Sequence, residues 1–225
     1  MSYSFFATVS RMKYIERWAL MRSTRPENLS EHSLEVAMIA HALCTIGNVR
    51  FGRQLNAERA ALIGLYHDAS EIITGDMPTP VKYINRQLKE AYKAVEYQAE
   101  ETLIERLPED LRPTYREIFH PEEALSESPA QEGSAEEGSA QEGSDPEAAE
   151  ERERIRYTLR LVKAADKLSA LIKCIEEENA GNGEFRTARQ TILEAVCALE
   201  EELPEVRVYT EEFLPAYGHT LDELS

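Results

Sequence analysis

Residues 56–73 read NAERAALIGLYHDASEII, and this stretch decides the fold. Asn56 is an N-cap residue type, and the apolar run from Ala60 to Tyr66 predicts a helix continuing to about Ile73. His67 and Asp68 stand side by side near its end, with Glu71 four residues beyond His67. Two adjacent ligand-type side chains can grip one divalent ion if other helices supply the remaining ligands. A lone His-Asp pair usually marks an ordinary helix surface, but this one belongs to a wider set. His32 opens a second apolar run in Ser30-Glu31-His32-Ser33-Leu34. Asp166 lies inside a third, in Lys163-Ala164-Ala165-Asp166-Lys167-Leu168. Imidazoles and carboxylates that leave coordination positions open suit a catalytic ion rather than a closed structural one.

Helical periodicity governs the rest of the chain. It predicts helices over Phe5–Ile15, Ser30–Ile46, about Val81–Leu107, Arg152–Glu178, Glu184–Leu203 and Val208–Phe213, with a shorter one restarting at Pro108-Glu109-Asp110-Leu111-Arg112. Thr74 to Pro80 is expected to be a rigid loop, because Gly75, Pro78 and Pro80 oppose helix there. No segment reads as a strand. The expected class is all-α, a helical bundle forming one domain over residues 1–225.

The 225 residues are enough for one sizeable core. The formal net charge of −17 is unevenly spread. Residues 122–150 hold ten acidic and no basic side chains, which leaves −7 for the remainder. Residues 131–144, QEGSAEEGSAQEGS, repeat at about five residues with no apolar face to bury. The whole of 122–150 is therefore expected to be a flexible acidic insertion. Nothing resembles a basic stripe, so a nucleic-acid polymer is not an expected partner. A small anion is still allowed, since one or two placed cations suffice. No run of about 18 apolar residues indicates a membrane span, and the first residues lack a leader pattern. Cys44, Cys174 and Cys197 are odd in number and far apart, which predicts free thiols in a reducing cytoplasm.

His32, His67-Asp68 and Asp166 resemble the ligand set of HD-domain metal-dependent phosphohydrolases. Further stretches occur in the same order: Arg17-Trp18 before Met21-Arg22, Ser30 to Leu34, Tyr66 to Glu71, Thr74 to Tyr83, and Lys163 to Asp166. Together they are similar to the bacterial 5′-deoxynucleotidase family of YfbR type, over nearly all of the chain except the acidic insertion. The resemblance implies an all-helical, cytoplasmic homodimer that removes phosphate from deoxyribonucleoside 5′-monophosphates. It implies one divalent ion, cobalt, manganese or similar, held by His32, His67, Asp68 and Asp166. It implies substrate contacts from Arg17, Trp18, His32, Asp68, Asp76, Met77, Pro78, Thr79 and Asp166, with Glu71 and Arg17 as the catalytic pair.

Physical roles can be argued beside the resemblance. Glu71, three residues after Asp68 and four after His67, is expected on the same helix face, where a carboxylate can take or give a proton. Arg17 offers a bidentate fork for phosphate that a lysine would not reproduce. Trp18, the only tryptophan, is placed to wall a sugar pocket and crowd a 2′-hydroxyl. Asp76 and Thr79 present acceptor and hydroxyl groups from the loop. Of the other histidines, only His120 lies between the His-Asp pair and Asp166, which favours one metal over two. Two alternatives remain: an HD hydrolase of a triphosphate or alarmone, with Lys82 and Arg22 as reserve cations, and a non-catalytic metal-bound nucleotide-binding module.

Overall fold

The computed structural model describes residues 2–82, 84–123 and 146–224. Most of the acidic insertion thus lies outside the described residues. Helix α1 (Phe5–Val9) leads into a 3₁₀ turn (Ser10–Tyr14) and then two short strands, β1 (Glu16–Arg17) and β2 (Glu27–Asn28). There follow α2 (Leu29–Phe51), α3 (Ala57–Tyr66), α4 (Glu71–Thr74), α5 (Thr79–Lys82), α6 (Arg86–Ile104) and α7 (Arg112–Phe119). The last part holds α8 (Pro146–Asn179), α9 (Arg186–Glu202) and α10 (Pro204–Glu212). The all-α class is observed, with α2 packed on α3 and α8, and α8 on α9.

Several boundaries differ from expectation, each for a local reason. The segment expected as one helix over Phe5–Ile15 divides into α1 and a 3₁₀ turn, the tighter form that chains adopt at helix ends. The strands were not expected. They pair antiparallel, Glu16 with Asn28 and Arg17 with Glu27, and are too short to show a period of two. Helix is present at Thr79–Lys82, inside the expected loop. Pro80 falls in its first turn, where a missing N–H costs no hydrogen bond. Pro146 to Glu150, expected as the end of the insertion, open α8. Proline and Glu147 suit a helix start, and Glu150 pairs with Arg154 one turn on. Pro204 likewise starts α10 earlier than expected.

Two buried clusters flank the candidate ligands. The larger draws Val36, Ala40 and Leu43 from α2, Ala60 and Ile63 from α3, and Leu161, Ala164, Ala165 and Leu168 from α8. The smaller gathers Phe5, Met12, Leu29, Ala69, Leu103 and Leu107. Each large aliphatic chain fully buried here contributes roughly 1.5–3 kcal/mol. His32 lies between Leu29 and Val36, at the seam. Among the described residues α2 has the length and apolar composition of a membrane span. Its buried His32, Ser33 and Val36 and its packing on α3 and α8 make it the central helix of the core instead.

Candidate metal and phosphate site

The site begins with a cap. Asn28 accepts hydrogen bonds from the N–H groups of Ser30 and Glu31 at 3.0 and 3.1 Å, and the Glu31 carboxylate accepts the Asn28 N–H at 3.3 Å. This capping box satisfies orphan donors at the start of α2. It fixes His32 in the first turn, with no exposed surface. Asn28-Leu29-Ser30-Glu31 carries that signature in sequence, although Ser30 was the expected start.

His67 arrives from α3 by a different device. Gly64 sits so close to α2 that an added Cβ would lie 3.0 Å from Cα and 3.1 Å from N of Ala37. The glycine lets the two helices touch, which brings the rings of His32 and His67 to 5.2 Å between centroids. His67 Nδ1 is 2.7 Å from the Gly64 carbonyl oxygen. That carbonyl would otherwise accept the next helical N–H, so the imidazole helps to end α3 at Tyr66. The helix expected to run on to Ile73 is instead interrupted by a turn at residues 67–70. Within it Ala69 N–H donates to Tyr66 O and Glu71 N–H to Asp68 O, each at 3.0 Å.

The four expected ligands come together. His32 Nε2 lies 3.2 Å from Asp166 Oδ1 and 3.5 Å from Asp68 Oδ2, and His67 Nε2 lies 3.1 Å from Asp68 Oδ2. His32, His67 and Asp68 each offer a ligand atom within 4.8 Å of the others. These are charge contacts out of line for hydrogen bonds, and both Nε2 atoms are buried without a hydrogen-bond partner among the described residues. Two buried ring nitrogens without hydrogen-bond partners among the described residues, facing two carboxylates, fit a divalent cation. His67 Nδ1, held by Gly64, would keep its proton and leave Nε2 to ligate.

Burial and mutual charge set the protonation of this group. Burial opposes protonation of His67, but the Asp68 charge outweighs it and raises the imidazole to about 9. Burial would raise Asp68, yet the two histidines bring it down to about 2. Burial and the Arg17 charge lower His32. For Asp166, burial is overcome by His32 and by Lys167, whose ammonium is 3.2 Å away, and the carboxyl falls well below its usual range. The two carboxylates thus favour positive charge at this group.

Glu71 opens α4 and is buried, with Oε2 lacking a hydrogen-bond partner among the described residues. Burial, reinforced by the charges of Asp68 and Asp76, raises it to about 9. A buried carboxyl of this kind beside ligands is a proton-transfer candidate.

Arg17 and Trp18 follow from the β1–β2 ribbon. Glu27, buried on β2, accepts Arg17 Nη1 at 3.1 Å and Trp18 Nε1 at 2.7 Å on the same oxygen. Arg17 Nη1 is also 2.9 Å from His32 Nδ1. Trp18 has φ of +59°, a left-handed conformation that costs a non-glycine residue about 1–2 kcal/mol. Glu27 and the Phe185 ring, 5.4 Å away, hold it there. The chain beyond is tied to α8 by Glu177, which accepts from Thr24 N and Oγ1, Arg25 N and Asn182 Nδ2. Glu27 and Glu177 escaped sequence reasoning, because neither has a motif and the partners of Glu177 lie up to 153 residues away.

The loop after α4 contributes less definite contacts. Asp76 and Met77 are half-buried and Pro78 is exposed. Burial raises the Asp76 carboxyl, against the pull of Arg17. The Thr79 side chain lies outside the described residues. Of the reserve cations, Lys82 is bound to Glu96 at 2.6 Å, and Arg22 is bound on the surface to Glu184. His41 and His219 are exposed, and His120 is buried between Glu100 and Glu101, away from the ligand group.

The model of the 5′-deoxynucleotidase YfbR-like family matches residues 4–132 and 147–217. The chain belongs to this family. The 5′-deoxynucleotidase YfbR of Shigella dysenteriae is 45% identical over 221 residues, 98% of this chain and 95% of that protein. A 5′-deoxynucleotidase of Erwinia tasmaniensis is 43% identical, over 98% of this chain and 96% of that one. Among solved structures, an HD-domain phosphohydrolase from Listeria innocua superposes with a TM-score of 0.69 at 23% identity, covering 95% of this chain and 88% of that one. A cyanophage S-2L HD phosphohydrolase, solved with dA and one catalytic Zn²⁺, gives 0.57 at 19% identity, covering 96% and 99%. These two likenesses establish the HD fold. The family match passes over residues 133–146, inside the acidic insertion.

Proposed function

We propose that this chain is a metal-dependent 5′-deoxynucleotidase that hydrolyses deoxyribonucleoside 5′-monophosphates to deoxyribonucleoside and phosphate. One observation carries the reading: the buried Nε2 atoms of His32 and His67, without hydrogen-bond partners among the described residues, facing Asp68 and Asp166. These four residues would hold one divalent ion, and the mixed donor set suits cobalt, manganese or a similar metal. Bound there, the ion would neutralise phosphate charge and acidify a water molecule.

The chain's own residues do the rest. Arg17, whose guanidinium stays charged beside the ligands, orients the phosphate and offsets its charge. Glu71 handles the proton. The charge of a cation would oppose the push of Asp68 and lower the Glu71 carboxyl from about 9 toward the pH of the solution, where it can both take and give a proton. Trp18, pinned by Glu27, walls the sugar at its 2′ position. Asp76, Met77, Pro78 and Thr79 complete the sugar side. Lys82 and Arg22 are engaged elsewhere, and Lys167 is paired with Asp166, so Arg17 is the cation offered to substrate, which suits one phosphate rather than three.

We read the chain as one HD domain, since α2 joins both buried clusters. We place it in the cytoplasm, where Cys44, Cys174 and Cys197 stay reduced. It is proposed to be a homodimer, on the exposed Leu34 and Met38 of α2 and Leu62 and Leu65 of the adjoining α3.

The test is phosphate release from a panel of nucleoside mono- and triphosphates and an alarmone, with added divalent ion and with chelator. Release from deoxyribonucleoside monophosphates only with metal, abolished in Asp68→Ala and Asp166→Ala, is expected. Release from triphosphates alone, or unaltered turnover by chelated Asp68→Ala, would contradict the assignment.

A further inference from the structure

We propose that Ser169 and Glu35 are positioning residues that set the proton of His32 on Nδ1, opening Nε2 to a metal ion and releasing Arg17 toward substrate. The inference rests on the reading of His32 as a ligand.

It follows from counting hydrogens. Ser169 Oγ donates to Glu35 Oε2 at 2.6 Å. Burial raises the Glu35 carboxyl while the Ser169 hydrogen bond lowers it; a hydroxyl has one hydrogen, and Glu35 in its ionised form has none to return. The oxygen that Ser169 presents to His32 Nδ1, at 3.0 Å, is therefore an acceptor. Only an Nδ1–H satisfies it. A neutral imidazole carries one N–H, so Nε2 keeps its lone pair. Ser169 and His32 have no exposed surface, so bulk water cannot take either role.

Arg17 makes the opposite demand. Its Nη1 lies 2.9 Å from the same Nδ1, and a guanidinium only donates. That contact needs Nδ1 bare, which puts the proton on Nε2, facing Asp166 Oδ1 at 3.2 Å and blocking the ligand atom. The two arrangements exclude each other. Arg17 loses little by giving way, because it keeps Glu27 Oε2 at 3.1 Å. The relay sits on the ligand-bearing helices: Glu35 follows His32 by one turn on α2, and Ser169 follows Asp166 by one turn on α8. Supports of this kind change metal affinity by about 10–100-fold when removed.

The experiment measures Zn²⁺ affinity of the full chain by chelator competition, in the unaltered protein and in Ser169→Ala, Glu35→Ala and Glu35→Gln. Melting of each metal-free protein reports folding separately. The His32 tautomer in the metal-free unaltered chain is read from imidazole ¹⁵N resonances. Ser169→Ala and Glu35→Ala are expected to bind Zn²⁺ about 10–100-fold more weakly. Glu35→Gln, whose amide oxygen still accepts the Ser169 hydrogen, is expected to bind like the unaltered chain. His32 is expected protonated on Nδ1. Unchanged affinity in Ser169→Ala and Glu35→Ala, or a proton on Nε2, would overturn the proposal. If the unaltered chain bound no Zn²⁺, the metal reading would fail, and the tautomer would still decide what Ser169 and Glu35 do.

Discussion

Gly64 of α3 meets Ala37 of α2 so closely that a Cβ on Gly64 would lie 3.0 Å from the Ala37 Cα. The neighbouring atoms are backbone and cannot rotate away. This contact sets the distance between the helices that carry His32 and His67. Gly64→Ala gains up to about 1 kcal/mol of helix propensity. Overpacking of this kind costs roughly 1–3 kcal/mol, so the variant is predicted to be less stable. Its larger effect should be on the site, since α3 must move off α2 and take His67 with it. Urea unfolding and metal affinity measured together decide this. Unchanged affinity would mean that His67 does not depend on the contact.

The metal-free chain should lose stability as pH rises. In the fold His67 is raised from 6.5 to about 9, and Glu71 from 4.5 to about 9. Each binds its proton more tightly folded than unfolded. The His67 contribution is complete below 6.5 and the Glu71 contribution below 4.5, and both are lost as pH climbs to about 9. Asp68, lowered to about 2, and His32, lowered from 6.5 by burial and the Arg17 charge, act in the opposite sense, Asp68 in strong acid and His32 below 6.5. Glu100, raised to about 8 by burial and by Glu96, Glu101 and Glu123, adds to the same trend, so Glu100→Gln is the control. A melting series in chelator should fall from pH 6.5, where His32 no longer opposes the trend, to about pH 9. Saturating divalent ion should restore stability at high pH, by about 2.7 kcal/mol at a hundred times its Kd. A flat series would show that His67 and Glu71 are not held as described.

Glu71→Gln should separate chemistry from binding. The amide is nearly the shape of the protonated carboxyl that the metal-free fold holds, so folding and metal affinity should change little. Turnover should drop on the order of 10²–10⁴-fold if Glu71 transfers the proton. The variant should also flatten part of the pH trend above. Undiminished kcat with normal metal content would reduce Glu71 to a structural group.

Much of this was legible in sequence, and the rest was hidden for physical reasons. His32, His67, Asp68 and Asp166 could be read because each sits in or beside a helical apolar run, and local periodicity places such runs. The break at residues 67–70 could not, because a side chain bound to a carbonyl ends α3 against its propensity. Glu27 showed no signal, since its role is to hold Arg17 and Trp18 through a ribbon of two-residue strands. Ser169 and Glu35 looked like ordinary helix residues. Their pairing across α2 and α8, 134 residues apart, exists only once the helices pack.

The sugar preference tests the central claim most directly. A 2′-hydroxyl pressed against the Trp18 indole loses water without gaining a protein partner, at about 1–3 kcal/mol, or roughly ten- to a hundredfold in rate. The measurement is kcat/KM for one deoxyribonucleoside 5′-monophosphate and its ribose counterpart, with saturating divalent ion, in the unaltered chain, Trp18→Ala and Arg17→Ala. The deoxy substrate should be preferred by about that factor in the unaltered chain. Trp18→Ala should narrow the gap by admitting the ribose form, while Arg17→Ala should harm both alike. Equal use of both sugars by the unaltered chain would contradict the account, leaving a general phosphomonoesterase with Trp18 outside its site.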